Sequence, residues 1–191
     1  MPARPMQRRT IHVLPFPRED ETLRCQAAEL LVEAFPHENG WPTLALALEE
    51  VDEALAPGRC CLAALDQDGQ LLGWVAAMPG YRGRVWELHP LVVRATARGH
   101  GIGRDLTGAL ERTLAMKNAL ALWVGTDDDR GETSLAGVEL YPEPLEHLRQ
   151  LCAPTSHPLG FYLRVGFALS GVVPDANGRG LHGILLSRRL G

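Results

Sequence analysis

The residues best suited to chemistry lie between positions 84 and 106, where a strand pattern leads through a glycine-rich turn into a helix pattern. The turn reads RGHGIG over 98–103. Such a turn directs consecutive backbone N–H groups at an anion, beside the positive N-terminus of the following helix. Glycines can also serve the turn alone, because they tolerate positive φ. As a ligand site, the turn predicts a pyrophosphate held by Arg98, Gly99, His100, Gly101, Gly103 and Arg104.

The strand before this turn, WELHPLVV at 86–93, brings two titratable side chains to one face of a sheet. Alternate residues of a strand share a face, so Glu87, His89 and Leu91 project together while Trp86 projects oppositely. A glutamate and a histidine so placed can accept a proton or position a polar substrate. A lone strand glutamate is often only solvated, and a lone histidine often only satisfies a local hydrogen bond.

An acidic segment follows the next strand pattern, LALWVGT. Asp127, Asp128 and Asp129 stand together, and residues 121–150 hold seven acids against two arginines. A solvated charged face is the more common meaning of such a cluster. The functional interpretation is a negative field that attracts a polycationic acceptor.

Composition limits the classes of protein to which the chain could belong. Its 191 residues carry a formal net charge of −4, which disfavours a general nucleic-acid binder. No apolar run is long enough to span a membrane, and the N-terminus lacks the apolar stretch of a signal peptide. We therefore expect a soluble cytoplasmic protein. The four cysteines show no metal-binding spacing and are expected to be free, buried thiols: Cys25, Cys60, Cys61 and Cys152.

Hydrophobic periodicity predicts one mixed α/β domain over residues 11–191, after a disordered tail at 1–10. The segment 127–158 is rich in loops. The predicted strands are 11–16, 59–65, 71–78, 85–93, 120–126 and 180–190, and the predicted helices are 23–35, 44–55, 102–114, 145–151 and one at 158–167 that enters a strand.

The turn fits the pattern Arg/Gln-x-x-Gly-x-Gly/Ala, with Arg98, Gly101 and Gly103 at its defining positions. This pattern resembles the coenzyme A loop of the GCN5-related N-acetyltransferase (GNAT) superfamily. A dinucleotide-binding fold is disfavoured, because the GxGxG spacing lacks the third glycine of GxGxxG. Five segments in order resemble the bacterial aminoglycoside 6'-N-acetyltransferases: 86–93, 122–129, 133–141, 157–167 and 171–178.

The resemblance implies an α/β (α+β) fold with a mixed, largely antiparallel central sheet flanked by helices. In this fold the strand at 85–93 splays from its neighbour and receives the pantetheine arm of acetyl-coenzyme A. The resemblance implies acetyl-coenzyme A as cosubstrate and no metal. It places Leu91 and Val93 along the coenzyme, with the backbone of Leu91 at the thioester carbonyl.

The same resemblance implies roles for the remaining site residues. Glu87 would accept or relay the amine proton, directly or through water, and His89 would act beside it or position the substrate. Tyr162 would lie near the coenzyme sulfur, although a tyrosine beside Phe161 can equally be a core residue. The acceptor would be bound by Trp86, Glu87, Asp127, Asp128 and Asp129.

The function implied is direct transfer of acetyl, in a ternary complex, to the 6'-amine of an aminoglycoside, with antibiotic resistance as its consequence. A homodimer is implied as well. Two alternatives stay open. One is an acetyltransferase for a protein amine or another polycationic amine such as a polyamine, and the other is a coenzyme A-binding module without catalysis.

Overall fold

A computed structural model describes residues 11–128 and 130–191 of the chain. The predicted disordered tail at 1–10 and the predicted acceptor residue Asp129 lie outside the described residues. The elements are β1 (His12–Pro15), α1 (Glu21–Ala34), α2 (Leu44–Ala54), β2 (Cys60–Leu65), β3 (Leu71–Gly80), β4 (Val85–Val93), α3 (Ile102–Ala115), β5 (Ala121–Asp127), α4 (Pro144–Arg149), α5 (Pro158–Arg164), β6 (Ala168–Val173) and β7 (Gly183–Arg189).

The strands form a seven-stranded sheet in the order β1-β2-β3-β4-β5-β7-β6. β1 pairs antiparallel with β2, and β7 pairs antiparallel with both β5 and β6. The neighbours β4 and β5 run parallel, because α3 connects them. The prediction of a mixed, largely antiparallel sheet flanked by helices is confirmed.

Residue contacts divide the chain into two compact units. One unit combines the described residues up to Ala76 with Pro90–Leu110, and the other combines Ala77–His89 with the described residues from Glu111 to Gly191. The prediction of one domain over 11–191 stays a prediction. Within the described chain, no helix is long and apolar enough to cross a membrane.

The first unit is built around the buried faces of α1 and α2. Asp20 caps α1 by accepting a hydrogen bond from the Leu23 amide at 3.0 Å, and Leu23, Ala27, Ala28, Leu30 and Leu31 of α1 are buried. In α2 the buried residues are Ala47, Val51 and Ala54, whereas Leu44 is exposed. Leu44 is the first residue of α2, where the chain still enters the helix.

The cysteines correct one prediction. All four thiols are free, and Cys60 and Cys61 on β2 are buried, but Cys25 and Cys152 are exposed. β2 is buried on both faces, so its two adjacent cysteines are covered although they point oppositely. Desolvation raises the pKa of the Cys61 thiol, which keeps it protonated and unreactive at neutral pH.

The second unit fixes its long loops through a buried histidine that the sequence did not indicate. The Nδ1 atom of His182 accepts a hydrogen bond from the Asp175 amide at 3.0 Å. Its Nε2 therefore carries the ring proton of the neutral imidazole and donates to the Val138 carbonyl at 3.1 Å. His182 thus connects the segment after β6 to the loop between β5 and α4.

Candidate active site

The glycine turn in the first unit has the backbone conformation that its sequence predicts. Gly99 and Gly101 have φ of +80° and +88°, and α3 begins directly afterwards at Ile102. An ideal Cβ at either glycine would meet no atom within 4 Å, so the surface of the turn is open. Glycine is needed at these positions because their φ is positive, not because a side chain would clash. An open turn at the start of a fourteen-residue helix fits a pyrophosphate.

Two side chains of the turn, Arg98 and His100, form hydrogen bonds with nearby backbone carbonyls. The Nε atom of Arg98 donates to the Val93 carbonyl at 3.0 Å, which connects the turn to the end of β4. The Nδ1 atom of His100 lies 2.9 Å from the Arg98 carbonyl, and because a carbonyl only accepts, Nδ1 carries the proton. Arg98, Gly99, His100 and Arg104 are exposed, and Gly101 and Gly103 are half-buried.

Burial along β4 alternates strictly, as the sequence predicts. Glu87, His89, Leu91 and Val93 are half-buried, and the residues between them are buried. Trp86 is 4% exposed, and its indole N–H donates to the Gly83 carbonyl at 2.9 Å. Trp86 therefore packs on the face opposite Glu87, so the acceptor site that we propose does not include it.

The β4–β5 ladder is short. It runs from the pair Val85–Ala121 to the pair Glu87–Trp123, although β4 continues to Val93 and β5 to Asp127. Pro90, which lacks a backbone N–H, lies in the part of β4 beyond this ladder. The pairs that join β4 to β5 thus lie within the second unit, and the splay of β4 towards a pantetheine arm stays a prediction.

The acidic segment divides into one exposed and one buried carboxylate. Asp127 ends β5 and is exposed. Asp128 is 1% exposed and accepts hydrogen bonds from the Glu132 amide at 2.6 Å, the Thr133 amide at 3.1 Å and the Thr133 hydroxyl at 2.5 Å. Asp127 is therefore better suited to the predicted acceptor role, because the Asp128 carboxylate is buried and already accepts hydrogen bonds from its own loop.

Tyr162 lies on α5, within an aromatic cluster of the second unit. His157 caps this helix by accepting from the Leu159 amide at 3.1 Å. The Tyr162 ring packs edge-to-face against Phe161 and Phe167, at centroid distances of 5.2 and 5.5 Å. Desolvation raises the pKa of the Tyr162 hydroxyl, so the phenol stays protonated at neutral pH. A protonated phenol is compatible with proton donation and with a core role.

Arg188 on β7 and Glu111 on α3 form an ion pair at 3.1 Å that we did not predict. A signal for it existed, because alternation places Arg188 on the same strand face as the apolar Ile184 and Leu186. Within residues 11–128 and 130–191, no three His, Cys, Asp or Glu side chains form a group that could hold a metal ion.

Comparison with known proteins shows the family. The sequence profile of the acetyltransferase (GNAT) family matches residues 25–136. An aminoglycoside 6'-N-acetyltransferase solved in complex with coenzyme A is 31% identical, with a TM-score of 0.85 over 94% of this chain and 97% of that chain. The aminoglycoside 6'-N-acetyltransferase from Enterococcus faecium is 33% identical, with the same TM-score and coverage. An aminoglycoside 6'-acetyltransferase type Ii is 32% identical over the same shares of both chains, with a TM-score of 0.73.

No curated protein sequence matches the chain significantly. The family profile nevertheless covers more than half of the 191 residues, and it includes β4, the glycine turn and α3. The open turn fits the coenzyme that is bound in one of the similar structures. The chain therefore belongs to the acetyltransferase (GNAT) family, and its cosubstrate is acetyl-coenzyme A.

Proposed function

We propose that this acetyltransferase acetylates the 6'-amine of an aminoglycoside. The observation that carries the proposal is the likeness of nearly the whole chain, 94% of it, to solved aminoglycoside 6'-N-acetyltransferases at 31% and 33% identity. The N-terminal half, where the sequence showed no shared motif, is included in that coverage. The rivals are an acetyltransferase for a polyamine or protein amine and a coenzyme-binding module without catalysis.

The chemistry requires a neutral amine, donors for a developing oxyanion and a proton for the departing thiolate. We assign the pyrophosphate to the turn at 98–103, with Arg104 beside it, and the thioester carbonyl to the backbone N–H of Leu91. Bound acetyl-coenzyme A supplies the electrophilic carbonyl. Leu91 and Val93 are half-buried and lie on the same face of β4, in the part of the strand that precedes the turn.

Glu87 takes up the proton that the acceptor amine loses, directly or through a water molecule, and His89 on the same strand face positions the acceptor. The amine nitrogen forms a bond to the acetyl carbon, and the carbon–sulfur bond breaks. The Tyr162 hydroxyl, which burial keeps protonated, donates its proton to the leaving thiolate sulfur and regains one from solvent afterwards. Acetyl is thus transferred directly, without a covalent enzyme intermediate.

The charge of the chain supports a polycationic acceptor. Its formal net charge is −4, and Asp127 is exposed at the end of β5. An aminoglycoside carries several ammonium groups, which an exposed carboxylate attracts and orients. We assign Asp127 to acceptor binding together with Glu87.

The test is release of coenzyme A from acetyl-coenzyme A, with two aminoglycosides that differ only in carrying an amine or a hydroxyl at the 6' carbon. We expect release with the amine and none with the hydroxyl. Equal release with both would place the reaction on another amine. Release with spermidine or a lysine peptide but with neither aminoglycoside would identify a different acceptor class, and binding without release would identify a non-catalytic module.

Antibiotic resistance, a cytoplasmic location and a homodimer are further parts of the proposal. Expression in a susceptible bacterium should raise the inhibitory concentration of a 6'-amino aminoglycoside, and the Glu87→Gln variant should not. Light scattering of the purified protein should give the mass of a dimer. An unchanged inhibitory concentration with active enzyme in the cell would contradict the resistance role.

A further inference from the structure

Arg188 is a charged residue on an apolar strand face. Ile184 and Leu186 precede it on the same face of β7 and are fully buried. The Arg188 side chain is 36% exposed, so its guanidinium is partly removed from water. A charge in this setting needs partners to compensate its desolvation.

The partners of Arg188 are a carboxylate and a helix end. Glu111 of α3 lies 3.1 Å from the guanidinium. The guanidinium also donates a hydrogen bond to the carbonyl of Val165, the residue that caps the C-terminus of α5. A cation is favourable at this end of a helix, because the last carbonyls carry a partial negative charge.

Gly166 allows the guanidinium to approach so closely. Its φ is +97°, and an ideal Cβ there would lie 3.0 Å from Nη1 of Arg188 and 3.2 Å from Cζ. A larger residue would have to displace the guanidinium from the helix end. Gly166 therefore serves both the left-handed turn after α5 and the contact with Arg188.

Arg188 contacts the turn Val165–Phe167, and residues of this same turn contact Tyr162. The Phe167 amide donates to the Tyr162 carbonyl at 3.0 Å, and the Phe167 ring packs against the Tyr162 ring. The Gly166 amide closes the same turn on the Leu163 carbonyl at 3.1 Å. Movement of the Val165–Phe167 segment would shift both the backbone of Tyr162 and one wall of its ring.

We propose that Arg188 is a positioning residue for Tyr162, holding the C-terminal turn of α5 between Glu111 and β7. This inference rests on the proposed role of Tyr162 in protonating the thiolate. It predicts that loss of Arg188 lowers the rate of transfer through Tyr162 and leaves the coenzyme turn at 98–103 unaffected.

A double-mutant cycle tests this proposal. The proteins are the wild type, Arg188→Met, Tyr162→Phe and the double variant, with Arg189→Met as a control at the next, exposed arginine of β7. We expect Arg188→Met to lower kcat by about tenfold to a hundredfold, with little change in the KM of acetyl-coenzyme A. In the Tyr162→Phe background the same substitution should have almost no further effect. Arg189→Met should behave as the wild type.

Either of two outcomes would overturn the proposal: an unchanged kcat in Arg188→Met, or an equal fall in kcat in both backgrounds. If Arg188→Met does not fold, Arg188→Lys, which keeps the charge but cannot span both partners, replaces it in the same cycle. An unchanged kcat in Tyr162→Phe would instead contradict the proposed role of Tyr162 as proton donor. It would then also contradict the role of Arg188 as its positioning residue.

A measurement without acceptor separates this proposal from the choice of substrate. Amide hydrogen exchange at Phe167, whose N–H binds the Tyr162 carbonyl, should be faster in Arg188→Met than in Arg189→Met. If no aminoglycoside is acetylated but this difference in exchange is found, the acceptor assignment is wrong and the positioning role of Arg188 is supported. Equal exchange in the two variants would overturn the positioning role of Arg188.

Discussion

At the scale of single residues, Asp127 and Asp128 have identical side chains in opposite environments. Asp128 is buried and accepts three hydrogen bonds from Glu132 and Thr133, whereas Asp127 is exposed. Asp128→Asn turns one acceptor oxygen into a donor, so we expect the free energy of unfolding to fall by about 1–3 kcal/mol. Asp127→Asn should change it little. Urea denaturation of the two variants measures the difference, and equal values would contradict the assigned loop role of Asp128.

Asp127→Asn should instead act on the acceptor. We expect a higher KM for a 6'-amino aminoglycoside and a weaker dependence of that KM on salt, because an attraction between exposed charges is screened by ions. The KM of acetyl-coenzyme A serves as the internal control and should not change. A wild-type acceptor KM at all salt concentrations would make Asp127 an ordinary surface residue.

Glu87 is the residue to which we assign the amine proton. Glu87→Gln keeps the shape of the side chain and removes its basicity, and a general base contributes about a hundredfold to ten-thousandfold. We expect kcat/KM, measured over a pH profile, to fall by at least the lower figure. A normal rate over the whole profile would leave Glu87 with substrate binding alone.

At the scale of elements, the effect of the glycine turn on coenzyme binding can be measured separately from the effect of backbone strain on stability. Gly101 and Gly58 have φ of +88° and +85°, and an added Cβ meets nothing within 4 Å at either position. Gly101→Val and Gly58→Val should therefore cost similar stability. Only Gly101→Val should weaken acetyl-coenzyme A binding, by more than about tenfold, or roughly 1.4 kcal/mol. Calorimetry that gave equal affinities for both folded variants would remove the turn from the coenzyme site.

Glu111 on α3 makes the stability of the second unit depend on pH. Desolvation raises the pKa of Glu111, against the opposing effect of Arg188 and Arg112. Below the pKa of the unfolded chain both states hold the proton, and between the two pKa values only the folded state does. The free energy of unfolding of the wild type should therefore fall, relative to Glu111→Gln, as pH rises through this range. Denaturation of both proteins at several pH values tests this, and a rising difference would contradict it.

What could be predicted from the sequence followed from local periodicity. The alternation of β4 and the buried stripe of α3, from Ile102 to Leu114, are properties of a few consecutive residues. The roles of Asp128 and Arg188 depend on partners that only the fold supplies. The insertion of β7 between β5 and β6 is likewise set by pairing between distant segments.

At the scale of the whole molecule, each compact unit holds its own share of the predicted site residues. Arg98 to Arg104 lie in the first unit, and Glu87, His89, Asp127 and Tyr162 lie in the second. The net charge of −4 favours a cationic acceptor for the whole enzyme. We therefore claim that the 6'-amine, among the several amines of an aminoglycoside, receives the acetyl group.

Determination of the acetylated position tests that claim most directly. The wild-type enzyme is incubated with acetyl-coenzyme A and an aminoglycoside that carries amines at the 6' carbon and elsewhere, and the product is analysed by NMR. We predict a single product whose acetyl group is bonded to the 6' nitrogen. A product acetylated at any other amine, with the 6'-amine intact, would contradict the proposed function.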